Sequence, residues 1–331
     1  MKQPARMQRL NLVQHQEESR GGTCCDTAEP ASPFDPRVLR KALPFSVKNR
    51  NILSLLLFLA SFAWFWQPLV ELFSLTQQQE HYSHMVLIPW VSLYVLYLDR
   101  KAILASREWN PWLGSLLMGV GALWYWGADA VAWAPDHLSM TMLAFVVMCW
   151  GIFLSCFGIT LCRKVSFGLL FLLFMVPLPS VLLDAIIGFL QRSSAEATDL
   201  LFSILGIPVF REGFLFRLSN FTIDVAEACS GIRSALSLFI SSLVAGHFFL
   251  RSLWGKMGIV AIVIPLAIIK NAFRIVGLTL LANYVDPTFI TNSALHRSGG
   301  IPLFLVALVV LLSLVWLLRR LEKKFGYDPA H

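Results

Sequence analysis

The sequence predicts an all-α polytopic membrane protein with about eight transmembrane helices and a small extracytoplasmic insert between the fifth and sixth. Three observations support this fold class. Hydrophobic residues make up 56% of the 331-residue chain and charged residues only 14%. The mean hydropathy of +0.65 is too high for an ordinary soluble domain. Long apolar runs recur along the chain, and Lys and Arg are concentrated in alternate loops between them.

Residues 1–46 predict a disordered cytoplasmic tail. They are polar and charged, lack a sustained apolar period, and are interrupted by Pro4, Pro30, Pro33, Pro36 and Pro44. No apolar segment follows the first basic residues closely, so we do not expect a secretory signal. The predicted catalytic membrane domain then covers residues 47–320, and residues 321–331 form a short cytoplasmic tail.

The membrane domain contains segments that are each close to the ~20 residues needed to cross a bilayer. The predicted spans lie at about 51–73, 83–99, 112–133, 139–161, 166–187, 231–250, 257–282 and 301–319. Pro177 and Pro179 interrupt the fifth span, and we expect a bend there.

The distribution of basic residues orients these spans. The loops at 74–82 and 134–138 contain no Lys or Arg, whereas the intervening loops and both termini are basic. The positive-inside rule therefore places both termini in the cytoplasm and residues 188–230 outside. Because topology accounts for the net charge of +7, we expect the lipid bilayer as a partner and no nucleic acid.

The extracytoplasmic insert at 188–230 has two predicted parts. Residues 190–205 have a helical period with polar residues on one face, which is typical of an interfacial amphipathic helix. A β-hairpin is predicted from residues 207–210 and 214–217, which flank the turn-forming residues 211–213, and a further strand at 221–225 follows.

Cys229 is the first candidate for chemistry, because it immediately precedes the sixth predicted span. The positive end of the helix dipole and the nearby Arg233 favour the thiolate. Ser230 and Gly231 are expected to supply capping and close backbone approach, and free N–H groups at this helix end can hold an oxyanion. The alternative is an unreactive, buried cysteine at the helix start.

Arg274 is the second candidate, because it lies well inside the seventh apolar run. A cation in a membrane helix is costly unless it is paired or faces a wet cavity. Asn271 lies three residues earlier on the same helical face. The functional interpretation is binding of a substrate carbonyl, carboxylate or oxyanion. The alternative is a structural Arg tied to Asp224 or Glu227.

His296 is the third candidate and lies in the outer loop before the last span. An imidazole is a suitable proton shuttle for a thiol nucleophile and its leaving amine. The alternative is a solvated loop histidine. His84, at the outer end of the second span, is placed at the entrance of the site.

The remaining cysteines predict neither a disulfide framework nor a metal site. Cys149 and Cys156 lie in an apolar run and are expected to pack as small hydrophobic residues. No His, Cys and carboxylate cluster has ligand spacing, so we expect no metal and no cofactor.

These residues resemble a known family when they are taken together. The segments 227–234 (Glu-Ala-Cys-Ser-Gly-Ile-Arg-Ser) and 271–275 (Asn-Ala-Phe-Arg-Ile), with His296 in the next outer loop, are similar to the exosortase/archaeosortase family of prokaryotic membrane transpeptidases. The resemblance covers about residues 50–320, and the N-terminal tail does not match it.

The resemblance implies a multi-pass cysteine peptidase or transpeptidase of the prokaryotic cytoplasmic (inner) membrane. Its substrates would be exported proteins with a C-terminal motif, a hydrophobic span and a basic tail, cleaved at the outer face and passed to an acceptor that the sequence does not identify. By the resemblance, Cys229 is the nucleophile, His296 the general acid and base, and Arg274 the transition-state stabiliser. Asn271 and Glu227 are supporting residues.

Two other functions remain open from the sequence. The chain is also compatible with a transporter or lipid-handling channel that uses Arg274 as an anion site. A lipid-linked acyltransferase that uses His296 is the other possibility. Neither of these functions requires the Cys229 thiol, whereas the cysteine peptidase or transpeptidase does.

Overall fold

The computed structural model describes residues 47–106, 108–130, 136–218, 222–224, 230–284 and 300–324, and these residues are mostly helical. The predicted tail at 1–46 lies outside the described residues. In chain order the α-helices are α1 (Val47–Trp64), α2 (Trp66–Gln78), α3 (Ile88–Leu98), α4 (Arg100–Ala105), α5 (Pro111–Ala130), α6 (His137–Lys164), α7 (Ser166–Phe171), α8 (Ser180–Ile204), α9 (Ile232–Phe249), α10 (Leu253–Tyr284) and α11 (Gly300–Lys324). Two 3₁₀ helices cover Glu80–Leu87 and Leu172–Met175, and three strands are β1 (Phe210–Glu212), β2 (Leu215–Arg217) and β3 (Thr222–Asp224).

The structure supports a helical membrane protein. Within the described ranges, the four helices α6, α9, α10 and α11 are long and apolar enough to cross a membrane. The count rises to six if each of two bent helix pairs forms one span. The predicted number of eight is therefore not confirmed.

The second and third predicted spans account for the difference. The second begins as the 3₁₀ helix Glu80–Leu87 and continues as α3, which has only 11 residues. The third corresponds to α5, whose 20 residues include several Trp and Gly residues. Trp concentrates at membrane interfaces, so a helix rich in Trp has a weaker hydropathy signal than one rich in Leu.

The first predicted span is bent rather than straight. α1 and α2 meet at an angle of 66° around the fully buried Phe65. Pro68 explains the break, because a proline ring clashes with the carbonyl four residues earlier, here that of Trp64, the last residue of α1. The sequence prediction of one uninterrupted helix at 51–73 is therefore wrong.

The bend predicted at Pro177 and Pro179 is confirmed, but the helix boundary after it is not. The helical segments on either side meet at 88°. α8 then starts at Ser180, whose backbone N–H donates to the Asp136 carboxylate over 2.7 Å. It continues without interruption to Ile204. The amphipathic helix predicted at 190–205 is the second half of α8.

The predicted β-hairpin is present, with the turn shifted along the chain. β1 pairs antiparallel with β2, and Phe210 lies opposite Arg217. β2 also pairs antiparallel with β3. The turn is at Gly213 and Phe214 rather than at 211–213, because Gly213 adopts a φ of +63° that favours glycine. Arg211 also forms a 3.7 Å salt bridge with Asp199 of α8.

Two helix groups carry most of the packing. α5 and α6 form a close antiparallel pair, in which a β-carbon at Gly151 would lie 2.7 Å from the Met118 side chain. Small residues permit such close approach between membrane helices. α9, α10 and α11 bury a second apolar cluster that includes Leu238, Ile259 and Leu311. A third apolar cluster joins α8 and β2 to the last turns of α10 through Phe202, Phe216, Ile275 and Val276, among others.

Candidate active site

The first turn of α9 contacts α10 through a glycine that has no room for a side chain. Gly231 precedes α9 and has a φ of +75°. A β-carbon there would lie 2.7 Å from Oδ1 of Asn271, which is itself only 1% exposed. Any larger residue would need both a strained backbone and displacement of Asn271. The close approach predicted for Gly231 is thus present, and it joins the Cys229 segment to the Asn271 helix.

A hydrogen-bonded chain makes a second contact between the same helices. Lys270 is 6% exposed, and its ammonium group donates to the hydroxyl of Ser234. That hydroxyl in turn donates to the carbonyl of Gly231 over 2.9 Å. The side chain of Lys270 is therefore linked, through Ser234, to the backbone that immediately follows Cys229.

Arg274 lies about one bilayer thickness along α10 from the start of that helix. At about 1.5 Å per residue, Arg274 lies about 31 Å along α10 from Leu253 and Asn271 about 27 Å, whereas a hydrocarbon core is about 30 Å thick. α9 has 18 residues and so extends about 27 Å, starting opposite Asn271. The start of α9 and Arg274 therefore lie at similar depths. The last ten residues of α10 extend farther and pack against α8 and β2.

Arg274 and Lys270 bring two cations onto neighbouring turns of one helix. They are four residues apart in α10, a separation at which like charges repel. Arg274 is half-buried and Lys270 is buried. Two neighbouring cations favour an anionic group nearby, such as a thiolate, a carboxylate or a developing oxyanion.

The described residues contain part of the predicted site. Gly231 contacts Asn271 at the start of α9, and Arg274 follows Asn271 by one helical turn. Arg233 is exposed on the first turn of α9. Cys229, His296 and Glu227 lie outside the described residues. Ser230 does not cap α9: its hydroxyl is buried and has no hydrogen-bond partner among the described residues. The helix starts at Gly231, without a side-chain cap.

Gly231→Ala is expected to destabilise the protein more than Gly206→Ala. Both glycines have positive φ, +75° and +68°, so both substitutions carry a backbone cost of about 1–2 kcal/mol. Only Gly231 faces a neighbour within 4 Å, and its overpacking adds about 1–3 kcal/mol. Thermal unfolding in detergent measures the difference. Equal shifts for the two variants would show that the Gly231–Asn271 contact is not tight.

The sequence comparisons identify the family. A sequence model described as transmembrane exosortase matches residues 76–313. The chain belongs to the transmembrane exosortase family. The matched part of this exosortase extends from the end of α2 into α11, and it includes Cys229, Asn271, Arg274 and His296. No curated protein and no solved structure matches the chain significantly.

The exosortase places its two predicted structural cysteines as expected. Cys149 and Cys156 are buried in α6, at 6% and 1% exposure, in separate apolar clusters. Both therefore pack as small hydrophobic residues, and they offer controls for any effect of thiol loss at Cys229.

His84 of this exosortase lies on the 3₁₀ helix Glu80–Leu87, which contacts α9. It is half-buried, and neighbouring Tyr82 and Met85 pack in a cluster that includes Ile240 of α9. Burial lowers the pKa of the nearby His81 below its usual value, which favours a neutral imidazole there. The 3₁₀ helix that carries His84 therefore packs against α9, the helix that follows Cys229 in the sequence.

Sequence reasoning underestimated two residues of this exosortase site. In the sequence, Ser234 is only the last residue of the segment 227–234, and Lys270 is a cation next to Asn271. Their signal was weak because a hydrogen bond between two helices depends on how far one is shifted along the other. The sequence pattern that identifies the Lys270–Ser234 hydrogen bond has two parts. One is a Ser three residues after the Gly at the helix start, and the other is a Lys next to Asn271.

Proposed function

We propose that this exosortase is a membrane-embedded cysteine peptidase or transpeptidase that cleaves the C-terminal sorting tail of exported proteins. The observation that carries the proposal is the contact of Gly231 with Asn271, one helical turn from Arg274. It brings the segment that directly follows Cys229 to a cationic face of α10. Family membership supports the same chemistry.

In the proposed first step, the Cys229 thiolate attacks the carbonyl carbon of the scissile peptide bond. The carbonyl electrons move to oxygen, and Arg274 with backbone N–H groups at the start of α9 stabilises that oxyanion. The tetrahedral intermediate collapses with cleavage of the C–N bond. Protonated His296 gives its proton to the leaving amine, and a thioester remains on Cys229.

In the second step, neutral His296 accepts a proton from the acceptor nucleophile or from water. The activated nucleophile attacks the thioester carbonyl, and the Cys229 thiolate leaves. The thiolate and the imidazolium are thereby restored. Glu227 and Asn271 are proposed as supporting residues, and His84 and Arg233 as residues at the entrance.

The proposed setting is the cytoplasmic membrane of a prokaryote, with eight spans, both termini in the cytoplasm and the site at the outer face. The charge distribution along the sequence supports this orientation. The substrate would span the bilayer beside the helices, and its recognition motif would emerge near the start of α9.

Co-expression with a tailed substrate tests the activity directly. We expect intact-mass analysis to give a shortened product, with the mass of either a free carboxyl terminus or an acceptor adduct. A substrate that keeps its hydrophobic span and basic end but has a scrambled motif is the matched control. Equal cleavage of both substrates would contradict recognition of the motif, and no cleavage of either would contradict the proposed substrate class.

A second candidate, an anion transporter or a lipid-linked acyltransferase, is favoured only by the paired cations Lys270 and Arg274. It requires Arg274 but tolerates loss of the Cys229 thiol. Dependence of activity on Cys229 therefore separates it from the first proposal.

Lys270→Met is expected to lower processing by about tenfold without destabilising the protein. Met retains the volume but removes a cation beside the proposed thiolate and oxyanion, and one charge near a developing anion is worth about 1.4 kcal/mol or more. Stability should stay level or rise, because a buried charge with its desolvation cost is removed.

The exposed Lys164 at the end of α6 supplies the control for Lys270. Processing rates and thermal unfolding of Lys270→Met and Lys164→Met are compared in the same membranes. Equal processing by the two variants would remove Lys270 from the site.

A further inference from the structure

A cavity of about 420 Å³ lies at the opposite end of the α9–α10–α11 group from Arg274. It is a partly open cavity lined by the last turn of α9, the first turns of α10 and the last turns of α11. We call it the basic-end cavity. Its volume falls in the range of about 300–1,000 Å³ that is usual for small-molecule sites.

Four cations line the basic-end cavity: Arg251, Lys256, Arg319 and Lys323. None of them forms a salt bridge with a carboxylate in the part of the chain that the structure describes. The lining contains one carboxylate, Glu322. The cavity therefore carries an excess of positive charge that the described protein groups do not neutralise, which favours an anionic ligand.

Glu322 is already engaged in holding the start of α10. Its carboxylate accepts hydrogen bonds from the backbone N–H of Arg251 over 3.0 Å, from the backbone N–H of Ser252 over 3.1 Å, and from the Ser252 hydroxyl over 2.6 Å. These bonds fix α11 to the α9–α10 connection and keep Glu322 in place. Arg319, one turn away, lies with its guanidinium 6.0 Å from the centroid of the Phe249 ring.

The surface around the cavity is apolar. Leu253 and Trp254, at the start of α10, are 70% and 81% exposed, and Phe248 and Trp316 are also exposed. Exposed Trp beside basic residues is typical of a membrane interface. A free anion would use only the cations, whereas a lipid would place its phosphate among them and its acyl chains along the apolar rim.

We propose that the basic-end cavity binds the headgroup of an anionic phospholipid. Arg and Lys are the residues that bind phosphate, and basic pockets between membrane helices on the cytoplasmic side are suited to anionic headgroups. The assignment to the cytoplasmic leaflet rests on the proposed topology. It does not rest on the peptidase activity, because the cavity and the candidate active site lie at opposite ends of α10.

Native mass spectrometry of the full-length protein, released from nanodiscs of mixed phosphatidylglycerol and phosphatidylcholine, tests the proposal. We expect wild type to retain phosphatidylglycerol in preference to phosphatidylcholine. Replacing both Arg319 and Lys323 with Gln should lower that retention by about tenfold or more. Replacing Arg163 and Lys164, the exposed basic residues at the end of α6, with Gln removes the same charge outside the cavity and should leave retention unchanged.

Several results would each overturn the proposal. Equal retention by the cavity variant and wild type would show that the cavity is not the site, and equal loss in both paired variants would show general surface attraction. Displacement of the lipid by millimolar inorganic phosphate would indicate a free-anion site instead. If the double variant does not fold, the retention of phosphatidylglycerol by Lys256→Gln is measured in its place. Equal retention of the two lipids by wild type would also reject the proposed anionic phospholipid.

Discussion

Cys229→Ala is expected to abolish processing of a tailed substrate while the protein still inserts into the membrane. Removal of the nucleophile in a well-studied serine protease lowers the rate by a factor on the order of 10⁶. Cys149 and Cys156 are not expected to substitute, since burial in α6 keeps them away from substrate. Immunoblotting of the substrate, with the enzyme level measured in the same membranes, records the loss.

Cys156→Ala is the matched control for the Cys229 variant. Cys156 is 1% exposed and lies in an apolar cluster, and the substitution removes the same thiol group as Cys229→Ala. We expect a slight loss of stability and no change in processing. Processing by Cys229→Ala at the rate of Cys156→Ala would refute the nucleophile assignment. It would also leave the anion transporter or acyltransferase as the better interpretation.

Arg274→Gln is expected to lower processing by about 10²–10³-fold, the usual effect of losing one oxyanion donor. Arg274→Lys should also fall by at least about tenfold, because Lys provides a point charge without the planar fork of donors. The effect should be on the rate of the chemical step rather than on substrate binding, since the oxyanion exists only in the transition state. Single-turnover rates at saturating substrate measure it.

Arg233 provides the comparison for the Arg274 variants. Arg233 is exposed on the first turn of α9 and is close in sequence to Cys229. Arg233→Lys therefore tests whether a guanidinium that is close to Cys229 but exposed is needed. We expect it to retain most of the processing activity. An equal loss in Arg233→Lys and Arg274→Lys would mean that any nearby guanidinium is needed. Full activity of Arg274→Gln would exclude it as the oxyanion donor.

Much of the α9–α10–α11 group was predictable from the sequence. Long apolar runs bounded by polar loops place α9 and α11 to within a few residues, since their composition leaves little alternative to a membrane helix. The spacing of Asn271 and Arg274 puts them on one helical face. The glycine after Ser230 pointed to a close backbone approach, and the contact with Asn271 confirms it.

The relative shift of α9 and α10 was not predictable, and it changes the picture of the site. Arg274 was expected a few turns below the outer surface, where it would have to reach up to Cys229. The contact of Gly231 with Asn271 places the start of α9 level with that part of α10. Arg274 follows Asn271 by one helical turn, so it lies near the level of the start of α9. Apolar periodicity within one helix carries no information about its register with another.

The positions at which helices break or continue were also not predictable from the apolar runs. Pro68 ends α1 four residues earlier, yet the hydrophobicity of 51–73 continues across the bend. α8 shows the opposite case, because one helix continues through the predicted boundary between span and insert. In both cases hydropathy reports the surroundings of the residues, whereas backbone hydrogen bonding decides where a helix ends.

Trapping the acyl-enzyme tests the central claim most directly. Purified enzyme in membranes is mixed with a tailed substrate, quenched with acid during turnover, and digested for peptide mass analysis. We predict a substrate fragment attached to the peptide that contains Cys229, released by neutral hydroxylamine as a thioester is, and absent from Cys229→Ala. Cleavage of the substrate without any hydroxylamine-sensitive adduct on Cys229, or with an adduct on another residue, would contradict the proposed mechanism.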